Sequence, residues 1–69
     1  MDPDAILYLI WDRLGRIIAF PTRDQAEACL IEDSPHPGLE EKPFGFLLEN
    51  HPKALVHMYH QYYWAEELV

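Results

Sequence analysis

Two apolar segments separated by a short loop place the strongest constraint on how this chain can fold. Residues 6–11 are rich in β-branched and aromatic side chains, and residues 16–20 repeat this character after the loop 12–15. Such segments on both sides of a loop that ends in glycine predict a β-hairpin, with Gly15 supplying the positive φ that the turn needs. Because both faces of the hairpin are apolar, we expect it to be covered on both sides or to use one face for contact.

The alternation of side chains predicts how the two strands pair. We expect Leu9 to pair with Ile18 and Leu7 with Phe20 on one face, with residues 8, 10, 17 and 19 on the other. A helix over residues 5–14 is the alternative, because Asp-Pro-Asp at residues 2–4 is a suitable helix start. The hairpin is favoured because Ile, Tyr and Trp fit a pleated strand better than a helical turn.

A helix is predicted over residues 22–32. Thr22 and Gln25 have the spacing of a capping box, in which each side chain satisfies a free backbone N–H group. Ala26, Cys29 and Leu30 then form an apolar stripe on one side. The sequence from Ser34 to Gly38 contains two prolines and cannot continue this helix, so it is predicted to be loop, together with residues 39–43.

The second half of the chain predicts one strand and one helix. Phe44, Phe46 and Leu48 alternate in a short apolar segment and indicate a third strand. Asn50 and Pro52 then resemble the start of a final helix over residues 53–68. The expected fold is therefore one α+β domain over residues 1–69, in the order β-β-α-β-α, with two helices packed on a small three-stranded sheet.

Charge is the strongest compositional signal. Twelve acidic residues against five basic ones give a net charge of −7, which opposes direct contact with nucleic acid and anionic membranes and favours basic protein surfaces. Between residues 24 and 41 there is no Lys or Arg, but there are six acids that we call the acidic run: Asp24, Glu27, Glu32, Asp33, Glu40 and Glu41. The acidic run is either a solvated surface that keeps the protein soluble or a contact surface.

Residues for catalysis or metal binding are sparse. His57 and His60 share the predicted final helix, but no HExxH pattern or second cysteine accompanies them. Ser34 lacks the context of an activated nucleophile, and Cys29 is expected to be an inert core thiol. We therefore expect no enzyme activity, no cofactor and no metal site.

Four aromatic residues close together near the C-terminal end are a second candidate contact feature: Tyr59, Tyr62, Tyr63 and Trp64. On a helix they would cover more than one face, so they cannot all point into one core. We expect the three tyrosines to be buried and Trp64 to lie on the flank or outside. An exposed Trp64 is a candidate hot spot for binding, since Tyr and Trp dominate the energetics of interfaces.

These observations together predict a small acidic binding protein without catalytic activity. Asp2 and Asp4 stand where a signal peptide carries basic residues, and Cys29 has no second cysteine to pair with, so a cytoplasmic location is expected. In size and charge the chain resembles phage and mobile-element inhibitors, including anti-CRISPR proteins. The hypothesis is that it occupies the basic nucleic-acid-binding surface of a protein by DNA mimicry, and the alternative is a homo-oligomeric adaptor or assembly subunit, such as a homodimer, that uses the apolar hairpin and the aromatic helix.

Overall fold

The computed structural model describes residues 1–33 and 38–69, and for residues 31–33 it describes the backbone alone. The predicted loop residues 34–37, with Ser34 and His36, lie outside the described residues. The elements in chain order are β1 (Ile6–Trp11), β2 (Ile17–Phe20), α1 (Arg23–Asp33), β3 (Glu40–Pro43), α2 (Phe44–Asn50), β4 (Leu55–Met58), β5 (Gln61–Trp64) and a 3-10 helix (Ala65–Leu68).

The described strands form one mixed sheet in the order β3-β1-β2-β4-β5. β2 and β4 are parallel, whereas the pairs β1–β2, β1–β3 and β4–β5 are antiparallel. The prediction of a three-stranded sheet in the order β-β-α-β-α is therefore wrong, although the α+β class is consistent with the structure.

The β1–β2 hairpin forms as predicted, but its register is shifted by one residue. Leu9 pairs with Ala19 and Ile10 with Ile18, so Leu7 and Leu9 share a face with Ile17 and Ala19 instead of Ile18 and Phe20. Residues 12–16 connect the two strands, and within this loop the Asp12 N–H donates to the Arg16 carbonyl at 2.9 Å while the Asp12 carboxylate accepts the N–H groups of Leu14 and Arg16. One residue more or less in the loop moves every side chain of a strand to the other face.

The sheet is covered by one helix on each face. On the face that we call the α2 face, Leu7, Leu9, Ile17, Ala19 and Val56 pack with Phe44 and Leu47 of α2. On the opposite face, which we call the α1 face, Ile10 and Phe20 pack with Ala26 of α1, and Tyr8, Ile18, Cys29 and Leu30 adjoin them. The two apolar faces of the hairpin are thus both covered, which is one of the two outcomes that the sequence predicts.

Helix α1 confirms the predicted helix to within a residue at each end. The Gln25 N–H donates to Thr22 Oγ1 at 3.3 Å, which is one half of the predicted capping box. The other half differs, because Gln25 Oε1 accepts the Thr22 hydroxyl at 3.1 Å instead of the Thr22 backbone N–H.

The prediction of a loop over residues 39–43 followed by a strand from Phe44 is wrong, because the structure has the strand β3 followed by the helix α2. β3 contains two glutamates, a lysine and Pro43, and such a segment is tolerated at the edge of a sheet because charges and proline suit an edge strand. In α2, Phe44 and Leu47 are fully buried at the helical spacing i, i+3. The first N–H groups of this helix donate to the carbonyls of Ala5 and Pro3 at 2.8 and 2.9 Å, so a distant segment supplies the cap that the local sequence lacks.

Residues 53–68 form no long helix. Instead β4 and β5 form a second hairpin, and Ala65–Leu68 is a 3-10 helix. The reason is tertiary: β4 adds to the sheet beside β2, where Val56 becomes fully buried in the core on the α2 face. Burial of a β-branched residue between neighbouring strands outweighs the weak helical spacing of the aromatic residues.

Candidate protein-binding surface

The turn of the second hairpin holds two side chains in an unfavourable backbone conformation. Tyr59 and His60 connect β4 to β5 and have φ values of 49° and 70°. A two-residue turn with positive φ at both positions is the type I′ turn, for which Asn-Gly is the common sequence. Side chains in this region of φ cost free energy, and such residues cluster at functional sites. Tyr59 is also 86% exposed, so its ring does not repay this cost by packing.

The register of β4 and β5 lines up apolar and aromatic side chains on the α1 face. Leu55 pairs with Ile18 on one side and with Trp64 on the other. In the adjacent row, the His57 ring lies 5.4 Å from the Phe20 ring and 4.9 Å from the Tyr62 ring, measured between ring centroids.

These rows and the turn form a surface that is only partly buried. Tyr62 is 54% exposed and Trp64 is 40% exposed, while Ile18, Leu55 and His57 are half-buried. Helix α1 packs on the β1 and β2 part of this face. We call the following residues the hairpin surface: Ile18, Leu55, His57, Tyr59, His60, Tyr62 and Trp64.

The hairpin surface is also the least charged part of the chain. Residues 54–65, which comprise β4, the turn and β5 with one residue on each side, contain no Asp, Glu, Lys or Arg. This is the longest stretch of its kind in a chain of net charge −7. Protein interfaces have a core that is depleted of charge and enriched in Tyr and Trp. The composition of the hairpin surface is therefore typical of a contact surface.

One polar atom inside the hairpin surface has no hydrogen-bond partner. His57 Nδ1 is buried and unpaired, with the His60 ring 6.2 Å away and turned edge-on. An unsatisfied buried nitrogen destabilises a fold, and an atom of this kind calls for an explanation in stability or in function. The His57 ring lies between the rings of Phe20 and Tyr62, so this destabilising nitrogen belongs to the hairpin surface.

The acidic run does not form one continuous negative surface in the part of the chain that the structure describes. Arg23, the residue just before the run, donates from Nε to Glu27 and from Nη1 to Glu41, each over 3.0 Å. The hydrogen bond that Arg23 donates to Glu27, with the attraction of both carboxylates, raises the pKa of Arg23 against the opposing effect of desolvation. The run thus has a cation placed between two of its members.

The other acids of the run either lie apart from this pair or have side chains outside the described residues. Glu41 pairs with Tyr8 and so lies on the α1 face, whereas Glu40 pairs with Leu9 and lies on the α2 face. Asp24 is exposed in the first turn of α1. The side chains of Glu32 and Asp33 fall outside the described residues. The structure therefore brings together Glu27 and Glu41, and it separates Glu40 from them.

Among the grooves on the described residues, two lie at opposite ends of the strands. One, of about 360 Å³, adjoins the hairpin turn and is lined by Pro21, Thr22, Gln25, Met58, Tyr59 and His60. The other, of about 380 Å³, lies at the far end of the strands and is lined in part by Trp11, Arg16, His51 and Lys53. In the second groove Arg16 is already paired with Asp12 at 2.9 Å. The first groove extends the hairpin surface around the turn.

Groups that could support catalysis or bind a metal are few among the residues described. His57 and His60 are neighbours, but residues 1–33 and 38–69 contain no cluster of three or more His, Cys, Asp or Glu side chains that could hold a metal ion. Cys29 is half-buried on α1. No helix in the described ranges is long and apolar enough to cross a membrane.

Comparisons with protein-family models, with curated proteins and with solved structures gave no match to this chain. The geometry and chemistry of the hairpin surface are therefore the guide to function.

Sequence reasoning anticipated one residue of this surface and missed the others. Trp64 was expected to be exposed and it is, although it lies on a strand and not on a helix. Tyr59 and Tyr62 were expected in the core and are exposed. The signal that could have indicated the second hairpin is the absence of charge over residues 54–65, because a helix on a protein surface normally carries charged side chains on its outer face.

Proposed function

We propose that this chain is a small non-enzymatic binding protein, an inhibitor or adaptor that contacts a partner protein through the hairpin surface. The observation that carries this proposal is the combination of exposed Tyr59, Tyr62 and Trp64 with the absence of charge over residues 54–65. The proposal includes a cytoplasmic location, because the reducing cytoplasm suits a sequence with a single cysteine, Cys29.

The energetics of such a contact favour the aromatic residues. Tyr and Trp are enriched among the few interface residues whose truncation to alanine costs about 2 kcal/mol or more of binding free energy. They bring large apolar area at a small cost in conformational entropy, because each has only two side-chain torsions. Trp64 lies opposite Leu55 on the ladder of β4 and β5, so the strand fixes the position of its backbone before a partner arrives.

Affinity capture tests this proposal. The chain is immobilised in its native form, as Trp64→Ala and as Leu14→Ala, and bound proteins from the source cells are quantified by mass spectrometry. Leu14 is the matched control, because it is a large apolar residue that is 76% exposed in the distant β1–β2 loop. We expect a specific protein that the native chain and Leu14→Ala retain and that Trp64→Ala loses by tenfold or more. Equal retention by all three forms would show that the hairpin surface is not the contact.

DNA mimicry, in the manner of an anti-CRISPR inhibitor from a phage or mobile element, is a second candidate. It is favoured by the exposed carboxylates of Asp24, Glu27 and Glu41 around the start of α1, which a basic nucleic-acid-binding surface of a partner would attract. In this case the affinity should fall steeply as salt rises, and Asp24→Asn with Glu27→Gln should weaken binding. Binding through the hairpin surface predicts little response to either change.

A further inference from the structure

We propose that β5 pairs antiparallel with β5 of a second copy of this chain, which joins two five-stranded sheets and brings two hairpin surfaces side by side. This self-association uses the edge of the sheet, together with the exposed rings of Tyr59, Tyr62 and Trp64 that also belong to the hairpin surface.

The two edges of the sheet differ in how they resist pairing. β3 at one edge carries Glu40, Glu41, Lys42 and Pro43, which are the charges and the proline that natural edge strands use to prevent association. β5 at the other edge is Gln-Tyr-Tyr-Trp and carries none of these. Within the described residues, no strand pairs with the outer side of β5. β5 is therefore the edge at which a further strand can add.

Charge selects a second copy as the occupant of this edge. Two chains of net charge −7 repel each other, so they associate most readily where the surface carries few acids. Residues 54–65 are such a region. A strand from a basic partner would gain nothing from an uncharged edge, whereas a second β5 matches it in charge and in aromatic character.

The ends of β5 also complement each other in an antiparallel pair. His60 precedes the strand, and Glu66 and Glu67 follow it. Antiparallel pairing brings the start of one strand to the end of the other, so that each His60 approaches the glutamates of the other copy. The Trp64 N–H now donates to Glu67 Oε2 over 3.4 Å, a long contact that a carbonyl of the second strand can replace.

The available area indicates a dimer of modest affinity. The chain exposes 4537 Å² in total, whereas a stable interface of standard size buries about 800 Å² on each partner. A four-residue strand cannot supply this area alone, so the exposed rings of Tyr59, Tyr62 and Trp64 must contribute. We therefore expect a dissociation constant on the order of micromolar.

Sedimentation equilibrium of the purified chain over a wide concentration range tests this inference. The informative variants are Gln61→Glu and Gln61→Lys, because in the proposed pair Gln61 lies near Glu66 and Glu67 of the second copy. Leu14→Glu and Leu14→Lys make the same changes of charge at a distant exposed residue. Gln61 accepts a hydrogen bond from the Tyr63 hydroxyl, and Gln61→Glu keeps an acceptor there, so the fold should be retained, as circular dichroism will check.

The expected result is a monomer–dimer equilibrium that Gln61→Glu weakens by about tenfold or more and that Gln61→Lys maintains or strengthens, each relative to its Leu14 counterpart. A chain that stays monomeric at all concentrations would overturn the inference. So would a dimer in which the Gln61 variants behave as their Leu14 counterparts do, since association would then use another surface. Either result leaves binding of a different protein to the hairpin surface unaffected.

Discussion

Trp64 lies directly opposite Leu55 on the ladder between β5 and β4, and its side chain is still 40% exposed. Trp64 thus has a defined place on the sheet, and its side chain is not enclosed by the core. Substitution of an aromatic residue in this position can remove its contacts with a partner without unfolding the protein.

Trp64→Ala should therefore leave the protein folded. We expect a loss of about 1–2 kcal/mol in the free energy of unfolding, below the 3–5 kcal/mol typical of a fully buried aromatic residue. Phe44→Ala is the control, because Phe44 is fully buried and its truncation should unfold much of a domain of this size. Urea unfolding of both variants measures the difference. If Trp64→Ala is as damaging as Phe44→Ala, the ring belongs to the core.

Substitutions in the turn of the second hairpin should make the protein more stable. Tyr59→Asn together with His60→Gly supplies the residues that a type I′ turn prefers, and it should raise the free energy of unfolding by about 1 kcal/mol through the relief of backbone strain. Tyr59→Ala is the control, since alanine removes the ring but keeps the unfavourable φ. A lower stability of the double variant than of the control would contradict the positive φ values at these two residues.

The pH dependence of stability should include a contribution from Asp12. Burial by itself raises the pKa of this carboxyl, but hydrogen bonds from the backbone and side chain of Arg16 and from the Leu14 N–H outweigh it and lower the pKa below its usual value of 3.8. A depressed pKa in the folded state stabilises the protein above the unfolded value, and this stabilisation is lost as the pH falls through the folded value.

Asp12→Asn should accordingly be less stable than the native chain at pH 7, with a difference that shrinks as the pH falls below 3.8. Thermal unfolding of both proteins over this pH range measures the difference. A gap that stays constant down to the lowest pH at which both fold would show that the charge of Asp12 does not matter.

Arg23→Gln separates the two candidate contact surfaces. The variant removes the cation between Glu27 and Glu41 and changes the net charge from −7 to −8. Stability should hardly change, because exposed ion pairs contribute little. A partner on the hairpin surface should bind this variant and the control Arg13→Gln equally well. A basic partner on the acidic run should bind Arg23→Gln more tightly than the control.

The parts of the fold that the sequence predicts correctly are those with local causes. Gly15 adopts the expected positive φ of 76°, and Thr22 and Gln25 mark the start of α1 within a residue. The register of the first hairpin could not be read in the same way, because it depends on the Asp12 carboxylate, which holds a loop one residue longer than expected.

The second half of the chain depends on distant contacts. The strand predicted at Phe44 is a helix because the carbonyls of Pro3 and Ala5 cap it, and the helix predicted at residues 53–68 is a hairpin because β4 adds beside β2. The same distant pairing exposes Tyr62, which a helix would have buried. The candidate site could thus be anticipated only at Trp64, and its other members follow from the sheet.

Hydrogen–deuterium exchange of this chain, alone and with its captured partner, tests most directly whether the hairpin surface is the contact. At one fixed concentration of the chain, the partner should slow exchange in residues 54–65 and leave residues 40–43 unchanged, because β3 carries Glu40 and Glu41 of the acidic run and lies at the opposite edge of the sheet from β5. Protection of residues 40–43 with no change in residues 54–65 would contradict the proposed function.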